Sequence, residues 1–133
     1  MTRSHLAASL CRRILIADDN QDAATSLAML LESDGHTTCV VNDGIATVEA
    51  ATTFQPDIIL LDIGMPRLNG LDACRRIRAQ RQKDVVIVAL TGWTQNDIRE
   101  RAKVAGFDFY LVKPVEPDAL ERLMRECAPT AAE

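Results

Sequence analysis

Four short runs of apolar residues each stop on a polar side chain, and this repetition constrains the fold more than any other feature of the chain. Ile58-Ile59-Leu60-Leu61 runs into Asp62, and Ile63-Gly64-Met65-Pro66 follow it. Ile14-Leu15-Ile16-Ala17 runs into Asp18-Asp19, Val85-Val86-Ile87-Val88-Ala89-Leu90 into Thr91, and Phe109-Tyr110-Leu111-Val112 into Lys113. Runs that are continuously apolar rather than alternating are strands buried on both faces, as in parallel sheets. As neighbouring parallel strands, they bring three carboxylates, a hydroxyl and an ammonium to one end of one sheet. Open α/β sheets bind their ligands at that end.

Helical patterns separate the runs, which predicts βα units. Five strands are expected, at about 12–17, 37–41, 57–61, 85–90 and 108–112. The first helix follows Asn20, with Ala23, Leu27, Leu30 and Leu31 as its inward stripe and Gly35 as its stop. The second, about 44–53, is short, with Ile45, Val48 and Ala51 inward. The third starts near Asn69-Gly70 and buries Leu71, Cys74 and Ile77. The fourth is capped by Thr94, turns Ile98 and Ala102 inward and ends before Gly106. The fifth has Pro117 in its first turn and Leu120, Leu123, Met124 and Cys127 on its apolar face. Residues 1–10 and 128–133 read as mobile ends, and residues 1–133 as one domain with an ordered core over about 12–127.

A net charge of -4 gives no electrostatic reason to expect a nucleic-acid partner. The longest apolar run is six residues, too short to span a membrane, and Arg12-Arg13 interrupt any signal-peptide core. The cytosol is the expected compartment. Cys11, Cys39, Cys74 and Cys127 form no Cys-x-x-Cys pair and read as buried, reduced thiols. His5 and His36 are too few, and too far from the acidic residues, for imidazole catalysis.

The chemistry of the cluster follows from its charges. Two carboxylates ~4 Å apart repel by about 4 kcal/mol at an effective dielectric of 20, so Asp18, Asp19 and Asp62 together need a cation. All-oxygen ligation points to a hard ion, Mg2+ before Ca2+. Thr91 and Lys113 offer the hydroxyl and ammonium that a phosphoryl group's oxygens require. Asp is a competent phosphoryl acceptor. Transfer of a phosphoryl group to an aspartate is the expected chemistry.

These residues in this order resemble the receiver domain of two-component response regulators, over about residues 12–127. The resemblance rests on Asp18-Asp19, Asp62, Thr91, Tyr110 and Lys113-Pro114 in register. The segments Asp62-Ile63-Gly64-Met65-Pro66, Ala89-Leu90-Thr91-Gly92-Trp93 and Leu111-Val112-Lys113-Pro114-Val115 look most like receivers of hybrid histidine kinases. It implies a doubly wound α/β fold, flavodoxin-like, with five parallel strands in the order 2-1-3-4-5. It implies that Asp62 is the phosphoacceptor and that Asp19, Asp62 and the Gly64 carbonyl ligate Mg2+, with Asp18 acting through a metal-bound water. Lys113 would pair with the phosphoryl group or with Asp62; Thr91 would be the switch hydroxyl and Tyr110 the switch aromatic. The implied role is a phosphorelay signalling domain rather than a turnover enzyme. Its implied partners are a histidine kinase or histidine phosphotransfer protein, and its state a monomer or weak homodimer. The family often has a polar side chain where Gly64 stands.

Plainer readings stand beside these. Asp18-Asp19 would also cap a helix, and Asp62 would also begin a turn. Lys113 would be a surface lysine, although Pro114 after it points to a constrained, cis turn that aims it. Tyr110 is either packing or switch, and Trp93 either covers a loop or shields the phosphoryl group. Arg75, Arg76, Arg78, Arg81 and Lys83 read as a solvated helix face and loop. Asp22, Thr25 and Met29 share an outward stripe of the first helix, a candidate docking surface for the phosphodonor. A haloacid-dehalogenase-type phosphatase is the enzyme alternative, but Asp18-Asp19-Asn20 lacks its two-residue spacing of nucleophile and acid. A pseudo-receiver that only binds is the other; the intact acidic residues argue against it.

Overall fold

A computed structural model describes residues 11–65, 67–80, 85–92 and 96–127, without the side chains of residues 96 and 97. The expected mobile ends, the Thr94 cap, Trp93, Arg81 and Lys83 lie outside the described residues. The elements alternate as β1 (Arg13–Ala17), α1 (Gln21–Ser33), β2 (Thr37–Val41), α2 (Gly44–Thr53), β3 (Ile58–Asp62), α3 (Gly70–Ala79), β4 (Val86–Thr91), α4 (Asn96–Ala105), β5 (Phe109–Val112) and α5 (Pro117–Glu126). All strand pairs are parallel, in the order β2-β1-β3-β4-β5. This is the flavodoxin-like order that the resemblance implies.

Alternation along the strands divides the core into two layers. Leu15, Ala17, Ile59, Leu61, Ile87 and Ala89 pack on one face with residues of α2, α3 and α4. Ile14, Ile16, Ile58, Leu60, Val88 and Leu90 pack on the other with α1 and α5. Every residue of β3 is buried. Burial of Ile58, Ile59, Leu60 and Leu61 contributes roughly 1.5–3 kcal/mol each, enough together to exceed the repulsion among carboxylates at the strand's end.

Two helices depart in part from their expected inward faces: Leu27, Leu31 and Ala51 are buried as expected, but Leu30 and Ile45 are not, and Ala23 and Val48 are only half-buried. In α1 the buried residues are Ala24, Leu27, Ala28 and Leu31, while Leu30 is 40% exposed. In α2 they are Gly44, Thr47, Ala50 and Ala51, while Ile45 is 40% exposed. Small side chains let these helices approach their neighbours closely, so small residues take the inward positions expected of Leu30 and Ile45. The other three helices bury Leu71, Cys74 and Ile77 in α3, Ile98 and Ala102 in α4, and Leu120 and Leu123 in α5, as expected, while Met124 and Cys127 are only half-buried against that layer. Gly35 takes a φ of 98° just after α1, which favours glycine over residues with a Cβ.

The cysteines are in no disulfide, but only Cys74 is buried as expected; Cys39 and Cys127 are half-buried and Cys11 is exposed. Burial pushes the Cys74 thiol up to about 11, which keeps it protonated and unreactive. Arg78 also departs from expectation. It is no solvated side chain: it donates to the Val85 and Gly106 carbonyls at 2.9–3.0 Å and to Asp108 at 2.6 Å. No helix among the described residues is long and apolar enough to cross a membrane.

Candidate functional site

The strand order reverses direction between β1 and β3, and the crevice beyond their C-terminal ends is the natural ligand position of such a sheet. Asp18 follows β1 directly, and its N–H donates to Val41 O at 3.1 Å. Asp62 is the last residue of β3 and pairs with Leu90 in the ladder. The loop after it folds back tightly, with Gly70 N–H donating to Ile63 O at 2.8 Å. A Cβ at Gly70 would collide with the Asp62 carbonyl, so only glycine permits this approach.

Asp18, Asp19 and Asp62 each offer a carboxylate oxygen within 4.8 Å of the others. Asp18 is 1% exposed and Asp62 7%, while Asp19 lies at the open rim. Lys113 Nζ is 3.2 Å from both Asp62 Oδ2 and Asp18 Oδ2. The Lys113-Pro114 peptide is cis, as expected, and the ammonium points inward. Burial pushes the Asp62 carboxyl above the usual range; the Gly64 N–H and Lys113 oppose that without cancelling it, and Asp18 adds to it.

The plainer readings are answered by the hydrogen bonds. Asn20, not either Asp, caps α1, its side chain accepting from Ala23 N–H at 3.1 Å. Asp62 does shape a turn, since Oδ1 accepts from Gly64 N–H at 3.0 Å, but Oδ2 faces Lys113. Lys113 is no free surface lysine. A Cβ at Gly64 would stand 4.0 Å from Asp62 Oδ1, so a side chain there would face this carboxylate.

The donor set fits a hard divalent cation. Asp18 Oδ2 is fully buried and makes no hydrogen bond among the described residues, although Lys113 stands within ion-pair distance. Lys113 pairs with two of the three carboxylates, and all the donors are oxygens.

Thr91 is 2% exposed at the end of β4, one residue past the partner of Asp62, and its carbonyl accepts from Lys113 N–H at 2.7 Å. Tyr110 is half-buried against the layer that holds Ala89, its ladder partner. The Arg99 guanidinium carbon lies 4.8 Å from its ring centroid. Met29 is 64% exposed on the outward stripe of α1. Sequence reasoning misses Asn42, whose side chain donates to the Asp18 carbonyl at 2.9 Å. Its only signal is position: β2 lies beside β1, so the residue after β2 borders the pocket.

Known proteins resemble this chain in sequence and fold. Residues 14–125 match the family model of the response regulator receiver domain. The DNA-binding response regulator MtrA of Mycobacterium leprae is 36% identical over 114 residues, covering 86% of this chain and 50% of MtrA. The transcriptional regulatory protein PdtaR of Mycobacterium tuberculosis is 39% identical over 108 residues, covering 80% of this chain and 52% of PdtaR. The chain thus spans about half the length of these curated relatives. Among solved structures, the receiver domain of sensor histidine kinase PA1611 from Pseudomonas aeruginosa superposes with a TM-score of 0.80 at 35% identity, over 87% of this chain and 96% of that one. That structure has a magnesium ion coordinated in its active site cleft. Chemotaxis protein CheY4 of Vibrio cholerae superposes with a TM-score of 0.83 at 25% identity, over 88% and 98% of the two chains. Fold, pocket and sequence together assign this chain to the response regulator receiver domain family of two-component signalling.

Proposed function

We propose that this chain accepts a phosphoryl group on Asp62 from a phosphohistidine and passes the change to partner proteins, acting as a signalling domain rather than a turnover enzyme. The observation that carries the reading is the meeting of Asp18, Asp19 and Asp62 with Lys113 at the ends of β1 and β3. Asp18, Asp19, Asp62 and the Gly64 carbonyl would hold Mg2+. The bound ion would neutralise charge on the phosphoryl oxygens.

The chain's own groups do the rest. An Asp62 carboxylate oxygen attacks phosphorus; the phosphorus–nitrogen bond breaks, and the imidazole leaves with its electron pair. Lys113 pairs with a phosphoryl oxygen and Thr91 donates its hydroxyl to another. Because Thr91 ends the strand paired to Tyr110, its displacement frees the ring to move and alters the α4–β5–α5 surface.

A histidine kinase or phosphotransfer protein would dock on the face beside the pocket, where Asp22, Thr25 and Met29 lie on the outward stripe of α1. A single receiver domain with its core over about 12–127, a cytoplasmic setting and a monomer or weak homodimer complete the reading. MtrA's name concerns DNA, but MtrA is about twice as long. The net charge of -4 gives no electrostatic reason for this domain itself to bind a phosphate backbone.

Acetyl phosphate with Mg2+ tests the reading. One phosphoryl group should appear by intact mass, and Asp62→Asn should abolish it. Equal labelling of the Asp62→Asn variant and the parent would refute Asp62 as acceptor.

A further inference from the structure

The three carboxylates are not held alike. Asp18 Oδ1 accepts from Asn20 N–H at 2.9 Å, and both its oxygens lie near Lys113. Asp62 has Gly64 N–H and Lys113. Among the described residues, no hydrogen bond or ion pair holds the Asp19 carboxylate. Its backbone places it, through the peptide joining residues 19 and 20, whose N–H Asp18 Oδ1 holds, and through the peptide joining residues 18 and 19.

The peptide between Asp18 and Asp19 is gripped from the neighbouring connection. The Asp18 N–H bond to Val41 O extends the β1–β2 ladder by one step. The Asp18 carbonyl, beyond the ladder, accepts from the Asn42 side-chain amide at 2.9 Å across 24 positions. Only the amide's NH2 can face a carbonyl, so the donor's identity is fixed by chemistry. Asn42 is itself anchored. The next residue, Asp43, caps α2 through Ala46 N–H at 2.8 Å and accepts from the buried Thr47 hydroxyl at 2.7 Å. Asn42 is exposed, so core packing does not account for an amide there.

We propose that Asn42 is a positioning residue for the acidic pair: its amide fixes the peptide between Asp18 and Asp19, and so sets the Asp19 carboxylate where it can join a divalent cation. The inference rests on the reading of these residues as a Mg2+ site. Residues that orient metal ligands without touching the metal typically change its affinity by roughly ten- to a hundredfold. Asn42→Ala should fall near the lower limit, since the ladder bond from Asp18 N–H remains.

Calorimetric Mg2+ titration of the whole chain tests this with three variants. Asn42→Ala should bind roughly tenfold more weakly. Asn42→Asp separates donation from charge. Its added negative charge would by itself tighten Mg2+ binding, but it cannot donate and it repels the Asp18 carbonyl, so it should bind at least as weakly as the alanine variant. Asn42→Gln keeps a donor and should stay within about twofold of the parent, a loss under about 0.5 kcal/mol. Labelling by acetyl phosphate should need more Mg2+ in the Ala and Asp variants yet reach the parent's rate at saturation, which also reports that they are folded. Ala and Asp variants that match the parent, or an Asp variant that binds more tightly, would overturn the inference alone. A folded parent that binds no Mg2+ would overturn both the inference and the site reading beneath it.

Discussion

Lys113 Nζ lies 3.2 Å from Asp62 Oδ2, joining the end of β5 to the end of β3 across 51 positions. The ammonium and a divalent cation would answer the same carboxylates, so they should compete. Burial alone would lower the lysine's pKa, but Asp62 and Asp18 carry it above 10.5. A base raised in this way contributes stability below its unfolded pKa and loses it only as pH rises through the folded value, so near neutrality the contribution is complete. Lys113→Ala should therefore destabilise the metal-free protein by about 1–3 kcal/mol, between the ranges for exposed and buried pairs. It should also tighten Mg2+ binding by roughly tenfold, or about 1.4 kcal/mol. Melting in EDTA and calorimetric titration check the two effects. Unchanged Mg2+ affinity would mean that the ammonium and the ion do not share their partners.

Arg78 tests a region remote from that pocket. Its guanidinium ties α3 to the start of β4 and to the connection before β5 through Val85 O, Gly106 O and Asp108. Asp108 Oδ2 also accepts from Ile87 N–H at 3.0 Å, so it needs the charge opposite it. Arg78→Ala should cost about 2–4 kcal/mol, or roughly 6–16 °C in Tm. Arg78→Lys should recover less than half, since an ammonium cannot reproduce the fork. Thermal melts measure both; Mg2+ affinity should not change, because these contacts lie at the opposite end of the sheet. A loss below about 0.5 kcal/mol would return Arg78 to the class of ordinary surface residues.

The pocket is legible in the sequence because each of its members ends an apolar run. Asp18, Asp62, Thr91 and Lys113 are placed by strands whose burial permits only one register, and a parallel sheet sets their ends side by side. Arg78 is not legible, because two of its partners are backbone carbonyls and the third is 30 positions away. The inward faces of α1 and α2 mislead for a related reason. Ala24, Ala28, Thr47 and Ala50 carry little hydrophobic signal, yet their small size is what close packing selects. Asn42 is hidden as an ordinary polar residue after a strand until β2 is known to lie beside β1.

His36 gives the pH dependence a defined sign. Its Nδ1 accepts from Arg12 N–H at 3.1 Å, which requires an unprotonated nitrogen there. Burial lowers its pKa below 6.5; Asp34 opposes the shift and Arg12 adds to it. With the folded value depressed, the unfolded chain takes up the proton first. Stability should fall as pH drops from about 6.5 towards the folded value. His36→Asn keeps an acceptor without a titrating group and should flatten that part of the profile. Denaturant melts between about pH 7 and 5, which bracket an ordinary histidine's titration, compare the two proteins. Parallel profiles would remove His36 as the cause.

Arg99 and Tyr110 give a test of switching that does not depend on the pocket's own residues. The guanidinium carbon stands 4.8 Å from the ring centroid, within cation–π range, at an exposed position on α4. Such a contact contributes about 0.5–1 kcal/mol. If phosphorylation moves Tyr110, the contact belongs to one conformation only, and its loss opposes the change. Arg99→Ala should then favour the phosphorylated form. Beryllofluoride with Mg2+, which mimics the phosphoryl group on Asp62, should bind the variant roughly two- to fivefold more tightly, the equivalent of about 0.5–1 kcal/mol. Fluorine NMR titration reads this directly. Arg99→Lys keeps a cation over the ring and should lie between variant and parent. In a Tyr110→Ala background, Arg99→Ala should have no further effect, because the ring it acts on is gone. Equal tightening in both backgrounds would show that Arg99 acts through something other than Tyr110. Weaker binding would reverse the sign and mean that the contact belongs to the switched conformation.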